Sequence, residues 1–199
     1  MCNIRKVAGL DIGNYNGSWD KLFGKSIKVF RKFSQFLLIT DGDTSILDSL
    51  KGKVKVLVQR CLWHIPYQAK YVLWQDGVKH KSAEWLQVMS ELMEICAIRP
   101  LVDCEKTIKK MIESKRKRLE SVIQYCLSKG YTHTASYLEN AMPDMFTAIE
   151  KRLKGKTTSK VERVMRTINM RVNVSKWSIA GALNVTKIRL AYYYNGFDA

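Results

Sequence analysis

Apolar positions along the first third of the chain alternate between short continuous runs and helical spacing. Lys6–Ile12 (KVAGLDI) reads as a strand, closed by the turn-rich Gly13-Asn14-Tyr15-Asn16-Gly17. Ser18 is placed to cap a helix carrying Trp19, Leu22, Phe23, Ile27 and Phe30 at helical spacing. Gln35–Thr40 (QFLLIT) is an apolar run that stops at Asp41-Gly42, as a buried strand does. Thr44–Leu50 predicts a short helix, Lys55–Gln59 (KVLVQ) a second buried strand, and Cys61–Trp74 a helix. Strands alternating with helices predict an α/β core with a largely parallel sheet.

From about Ser82 to Leu153 the pattern is almost wholly helical, punctuated by Pro100 and Gly130, with Pro143 starting another helix near Asn140. Trp85, Val88, Met89, Leu92, Met93 and Cys96 form an apolar stripe that reads as core. Lys106–Lys129 is a long amphipathic helix with Ile108, Ile112, Leu119, Ile123 and Leu127 inward. Its outer face is expected to hold Lys109, Lys110, Lys115, Arg116, Lys117 and Arg118. After the turn Gly155–Ser159, Thr158 or Ser159 can cap a helix with Val161, Glu162, Met165 and Ile168. A last helix runs from about Trp177 to Tyr194. The expected organisation is an α/β core over 1–81, an all-helical insertion over 82–153, and carboxyl-terminal helices over 154–199.

Charge narrows the partners. The 199 residues carry 34 Lys+Arg against 18 Asp+Glu, a net charge of +16, and 46% of them are hydrophobic. The chain can therefore bury a core, and its excess charge calls for a polyanion, with nucleic acid first and an anionic membrane surface second. No stretch reaches the ~18–20 apolar residues of a membrane span, and the opening MCNIRKVAGLDIG has no leader-like apolar segment. Five scattered cysteines without a C-x-x-C pair suit neither a disulfide framework nor a zinc ribbon; a reducing cytoplasm is the expected compartment.

Three constellations can carry chemistry. Asp41-Gly42-Asp43 ends a buried strand, where a carboxylate can hold a hard cation such as Mg²⁺, although an Asp-Gly turn there is also common. Cys61 and His64 in Cys61-Leu62-Trp63-His64 share one face if helical, and read as a buried Cys with a helix-start His or as half of a zinc set. Glu162 is the only acid among Lys151, Arg152, Lys154, Lys156, Lys160, Arg163, Arg166 and Arg171. That balance suits a metal-binding carboxylate in a basic groove, or an i, i+4 partner for Arg166.

In order and spacing, LLITDGDTSIL, QRCLWH and TTSKVERVMRTINMR resemble the Mutator-like group of DDE transposases of bacterial and archaeal insertion sequences. The resemblance spans about residues 5 to 194. It implies a partial ribonuclease H-like core with an all-helical insertion. It also implies catalytic, metal-holding acids at Asp41 and Glu162, with Cys61 and His64 supporting the site. Mg²⁺ or Mn²⁺ would serve phosphodiester cleavage and strand transfer. DNA, the element ends, is the implied partner, met by Lys115, Arg116, Lys117, Arg118, Lys156, Lys160, Arg163 and Arg166, with a homodimer as the implied assembly. The family's first catalytic Asp lies well upstream of the second. Asp11, 30 residues before Asp41, has a setting more like the family's later strand, so the expectation is an amino-terminally truncated copy. A rival reading is a non-catalytic DNA- or RNA-binding module gripping bases with Trp177, Tyr192, Tyr193 and Tyr194. A weaker one is a sugar-kinase-like ATPase, from LDIGNYNGS.

Overall fold

The structure, a computed structural model, describes residues 19–23, 35–98, 104–153, 166 and 178–194. It is mixed α/β and mostly helical, with one small parallel sheet of two strands. The chain divides into two compact units. One comprises 37–42 and 57–158; the other comprises 1–36, 43–56 and 159–199. The expected first strand, Lys6–Ile12, lies outside the described residues.

Helix α1 is described over 19–23, where Trp19 and Phe23 stack one turn apart with ring centroids 5.8 Å apart. Strand β1 is Phe36–Thr40 and β2 is Val56–Arg60, with helix α2, Ser45–Leu50, between them in sequence. The pairing includes Phe36 N–H to Lys55 O at 3.3 Å and Cys61 N–H to Thr40 O at 2.7 Å. Both strands therefore finish side by side, at Thr40-Asp41 and Arg60-Cys61.

Helices α3 (His64–Gln75), α4 (Ala83–Cys96), α5 (Glu105–Ser128) and α6 (Thr132–Ala141) follow. A 3-10 turn at Met142–Asp144 and a short α7 (Thr147–Glu150) complete this unit. Helix α8, Ile179–Tyr194, belongs to the other unit; it exposes Ile179 and Ile188 and buries Thr186.

One apolar core runs through α3 to α7. Ile65, Ala69 and Leu73 of α3 join Val88, Met89, Leu92 and Ile95 of α4, Ile112, Leu119, Ile123 and Cys126 of α5, and Leu138 and Phe146. The linear boundary at 81/82 therefore cuts through shared packing, because α3 and the helical block bury the same surface. Two expected core positions differ. Met93 and Leu127 are exposed, and Ile95 and Cys126 are buried instead. Three- and four-residue steps both stay on one helix face, and here the buried face follows the three-residue step, from Leu92 to Ile95 and from Ile123 to Cys126.

Polar groups fix the joints of this core. Ser82 Oγ accepts the Trp85 N–H at 3.2 Å and caps α4 where the sequence places its start. Asp76, just past α3, caps α6 from a distance in sequence: its carboxylate accepts the N–H groups of His133 (2.9 Å) and Thr134 (2.8 Å) and the Thr134 hydroxyl (2.7 Å). Gln59 on β2 is fully buried. Its Nε2 donates to Met145 O at 2.6 Å, and its Oε1 accepts the Ala148 N–H at 2.8 Å. This amide ties the sheet to the start of α7.

Replacing Gln59 by Ala strands the Met145 carbonyl and the Ala148 N–H in the interior, at about 1–3 kcal/mol for each group left unpaired. Urea unfolding of Gln59→Ala should lose at least about 2 kcal/mol relative to the parent chain. A loss below about 0.5 kcal/mol would show that water or another group satisfies both.

Candidate functional site

The described site gathers where β1 and β2 end. Thr40 Oγ1 accepts the Gly42 N–H at 3.2 Å and lies 3.4 Å from Asp41 Oδ1, which tightens the turn that carries Asp41 off the strand. Gly42 has φ +118°, a conformation suited to glycine, and the Arg60 guanidinium occupies the space a Cβ there would take. The same guanidinium donates to the Asp41 carbonyl at 3.4 Å and to the Asn140 carbonyl at 3.2 Å. Arg60 thus joins the two strand ends to the end of α6. Its Nε is buried without a hydrogen-bond partner among the described residues, as is the Tyr137 hydroxyl.

The electrostatics identify the neighbours. Burial pushes the Tyr137 phenol up to about 12; Arg60 opposes the shift, and Cys96, Asp41 and Cys61 add to it. Burial also raises the Asp144 carboxyl, again opposed by Arg60. One arginine therefore lies within electrostatic reach of Asp144 while holding the backbone of Asp41. Such a group can balance a carboxylate or meet an anion.

Cys61 is fully buried in the connection before α3, rather than on a helix face shared with His64. The His64 N–H donates to the Cys61 carbonyl at 3.1 Å. The His64 ring meets Trp63 edge-on at 4.9 Å and Tyr67 at 6.4 Å between centroids. Among the described residues no group of three His, Cys, Asp or Glu side chains is gathered to hold a metal ion. The donor chemistry at the described strand ends is Asp41 with an arginine cation beside it. These residues do not by themselves fit a metal pair. Asp11, Glu162, Lys156, Lys160, Arg163 and Trp177 lie outside the described residues, as do the side chains of Tyr192 and Tyr193; Arg166 is helical and exposed.

The basic face of α5 is more engaged than its sequence suggests. Arg118 is held by Glu91 at 2.8 Å and by Glu94 at 2.5 Å, both on α4. Lys115 donates to the Glu94 carbonyl at 2.6 Å, and Arg116 pairs with Glu150 at 2.7 Å. These three side chains are half-buried at helix seams, while Lys109, Lys110 and Lys117 are exposed. Hydrogen bonding to Arg118 holds the Glu94 carboxyl below its ordinary range. The associated stabilisation is present above the unfolded carboxylate value and fades as pH falls through the folded one. A cleft of about 530 Å³ lies between α5 and α7, lined by Ile108, Ile112, Arg116, Glu150 and Arg152 among others. None of the Asp41 cluster lines it.

Arg60, Gln59 and Tyr137 had no role in the sequence reading. Their signal was faint: Gln59-Arg60 closes an apolar strand, so both side chains had to find partners at a buried edge. No family model matches the chain, and no curated protein or solved structure matches it either.

The four described cysteines should differ sharply in reactivity. Burial raises Cys96 to about 12 and Cys126 to about 11, and Cys61 is fully buried. Cys104 is exposed at the start of α5, where hydrogen bonding from Thr107, backbone first, and from Lys106 lowers its thiol. Brief iodoacetamide treatment read by peptide mass spectrometry should label Cys104 well ahead of those three. Equal labelling of Cys61 in the folded chain would contradict its placement.

Proposed function

We propose that this chain is a DNA-binding transposase domain of the DDE type, with a partial ribonuclease H-like core. The observation that carries the reading is the placement of Asp41. It leaves the carboxyl end of β1 at a glycine turn, beside the carboxyl end of its parallel neighbour. In open α/β sheets that edge is where ligands bind. The all-helical segment after the two strands and the basic sequence around Glu162 support the same reading. On it, Asp41 and Glu162 are the carboxylates that would hold Mg²⁺ or Mn²⁺. When bound, the metal supplies charge stabilisation at a phosphodiester. The chain's own part is to bring DNA to that edge through lysines and arginines and to fix Asp41 through Thr40, Gly42 and Arg60.

A second reading, a nucleic-acid-binding module without cleavage, is favoured by Arg60. A fixed guanidinium against the Asp41-Gly42 backbone supplies positive charge where the catalytic reading needs divalent cations.

Both readings expect DNA binding with little sequence preference. Affinity should fall by orders of magnitude between about 50 and 200 mM salt, as several phosphates give up their condensed counterions. An anisotropy titration that detects no binding at about 50 mM salt would overturn both.

Plasmid nicking can remove the second reading. With Mn²⁺ and supercoiled plasmid, a chain that has only Asp41 and Glu162 as metal-holding acids should not nick efficiently, because a site short of one acid holds the cations weakly. Robust nicking abolished by Asp11→Ala, Asp41→Ala and Glu162→Ala alike would show a complete acid set and remove the non-catalytic reading.

A further inference from the structure

Helix α3 carries a stripe of large aromatic side chains that the fold leaves in solvent. Trp63 is 48% exposed, Tyr67 42%, Tyr71 57% and Trp74 75%. They lie on the face opposite Ile65, Ala69 and Leu73, which are buried in the core. A helix face turned to water is ordinarily polar and charged. Here the spacing i, i+4, i+8 and i+11 puts four rings in a row, successive ones about 4.5–6 Å apart along the axis. Trp63 and Tyr67 stack at 5.1 Å with an interplanar angle of 15°, and Tyr71 meets Tyr67 edge-on at 5.8 Å. The Tyr67 and Tyr71 hydroxyls lie 3.4 Å apart.

Charge along the stripe has one sign. From His64 to Gln75 the helix has no acidic residue, and Lys70 Nζ stands 5.6 Å from the Tyr67 ring centroid. Lys79, His80 and Lys81, all exposed, lie a few residues past the helix, beyond Asp76, whose carboxylate is taken up by N–H groups at the start of α6. Open ring faces beside lysines on a chain of net charge +16 suit a ligand that has both flat bases and phosphates. They suit an apolar protein partner less well, because lysines would have to be desolvated without acids to meet them.

We infer that the exposed face of α3 is a binding surface for unpaired nucleotides, whose bases stack on Trp63, Tyr67, Tyr71 and Trp74 while Lys70 and the lysines after the helix meet the phosphates. The inference rests on the nucleic-acid reading of the chain and adds to it a strand state, single rather than double, and a location. A duplex keeps its base faces covered by stacking, so it can use the lysines but not the rings. Recognition is then tolerant of sequence, because every base presents a flat face.

The test uses the whole chain, a fluorescein-labelled oligothymidylate and a blunt duplex of equal length, followed by anisotropy at about 50 mM salt. Trp63→Ala, Tyr67→Ala, Tyr71→Ala and Trp74→Ala should each weaken single-strand binding about 5- to 100-fold and leave duplex binding within about threefold, with unchanged circular dichroism. Tyr71→Phe, which keeps the ring, should bind the single strand like the parent. Single-strand binding untouched by all four alanine substitutions, with duplex binding intact, would overturn the assignment of α3 while leaving the nucleic-acid reading standing. Failure of the parent to bind either oligonucleotide would overturn both. Sedimentation showing a dimer that Trp74→Ala dissociates would instead make the stripe a contact between copies of the chain, and overturn the inference.

Discussion

A strand that ends beneath helices leaves its last polar groups in an apolar interior, where leaving them unmet is costly. Gln59 and Arg60 are how this chain meets that constraint. The Gln59 amide, fully buried, pairs with both a carbonyl and an N–H near the start of α7. Arg60, the next residue, turns the other way and reaches the carbonyls of Asp41 and Asn140. Side chains of successive strand residues point to opposite faces, so two adjacent positions can serve two different neighbours. Together they join the two described strands to a helical body many times their size. The turn at Asp41 inherits its geometry from them, since Arg60 fills the space beside Gly42.

The helical body supplies the rigidity that the small sheet lacks. Its core is continuous from α3 to α7, and Asp76 and Arg118 lock the helices at their margins. The pairs formed by Arg118 are partly exposed, so their worth lies in fixing how α4 and α5 sit rather than in stability. Bases spent on helix seams are less available for phosphate, whereas Lys109, Lys110 and Lys117 on α5 and Lys70 on α3 remain exposed. The acid-free α3, with its aromatic face, then becomes a more open surface for nucleic acid than much of the basic face of α5.

The two strands and the long helices were legible in the sequence because their patterns are strong. Phe36–Thr40, Val56–Arg60 and Glu105–Ser128 fall within one residue of the ends read from apolar spacing. Ser82 marked the start of α4 for the same reason: an oxygen that can cap sits before an apolar stripe. The beginning of α3 was misread by three residues. Cys61 and Leu62 are apolar and buried, which spacing alone cannot distinguish from a first helical turn. Of the site, Asp41 was legible from the strand and glycine around it. Arg60 and Tyr137 were not, because 77 positions separate them in sequence and nothing local ties an arginine to a tyrosine so far away. The α3 stripe was present in the spacing of its rings, yet the same spacing serves an inward face, and only burial tells the two apart.

In the proposed function, Asp41 and Glu162, 121 positions apart, serve one cation at one site. Mn²⁺ binding followed by electron paramagnetic resonance tests it without requiring turnover. A weakly held ion is expected in the parent chain, abolished by Asp41→Ala and by Glu162→Ala alike, with the double variant no worse than either alone. Binding that survives both substitutions, or that only one of them removes, would contradict it.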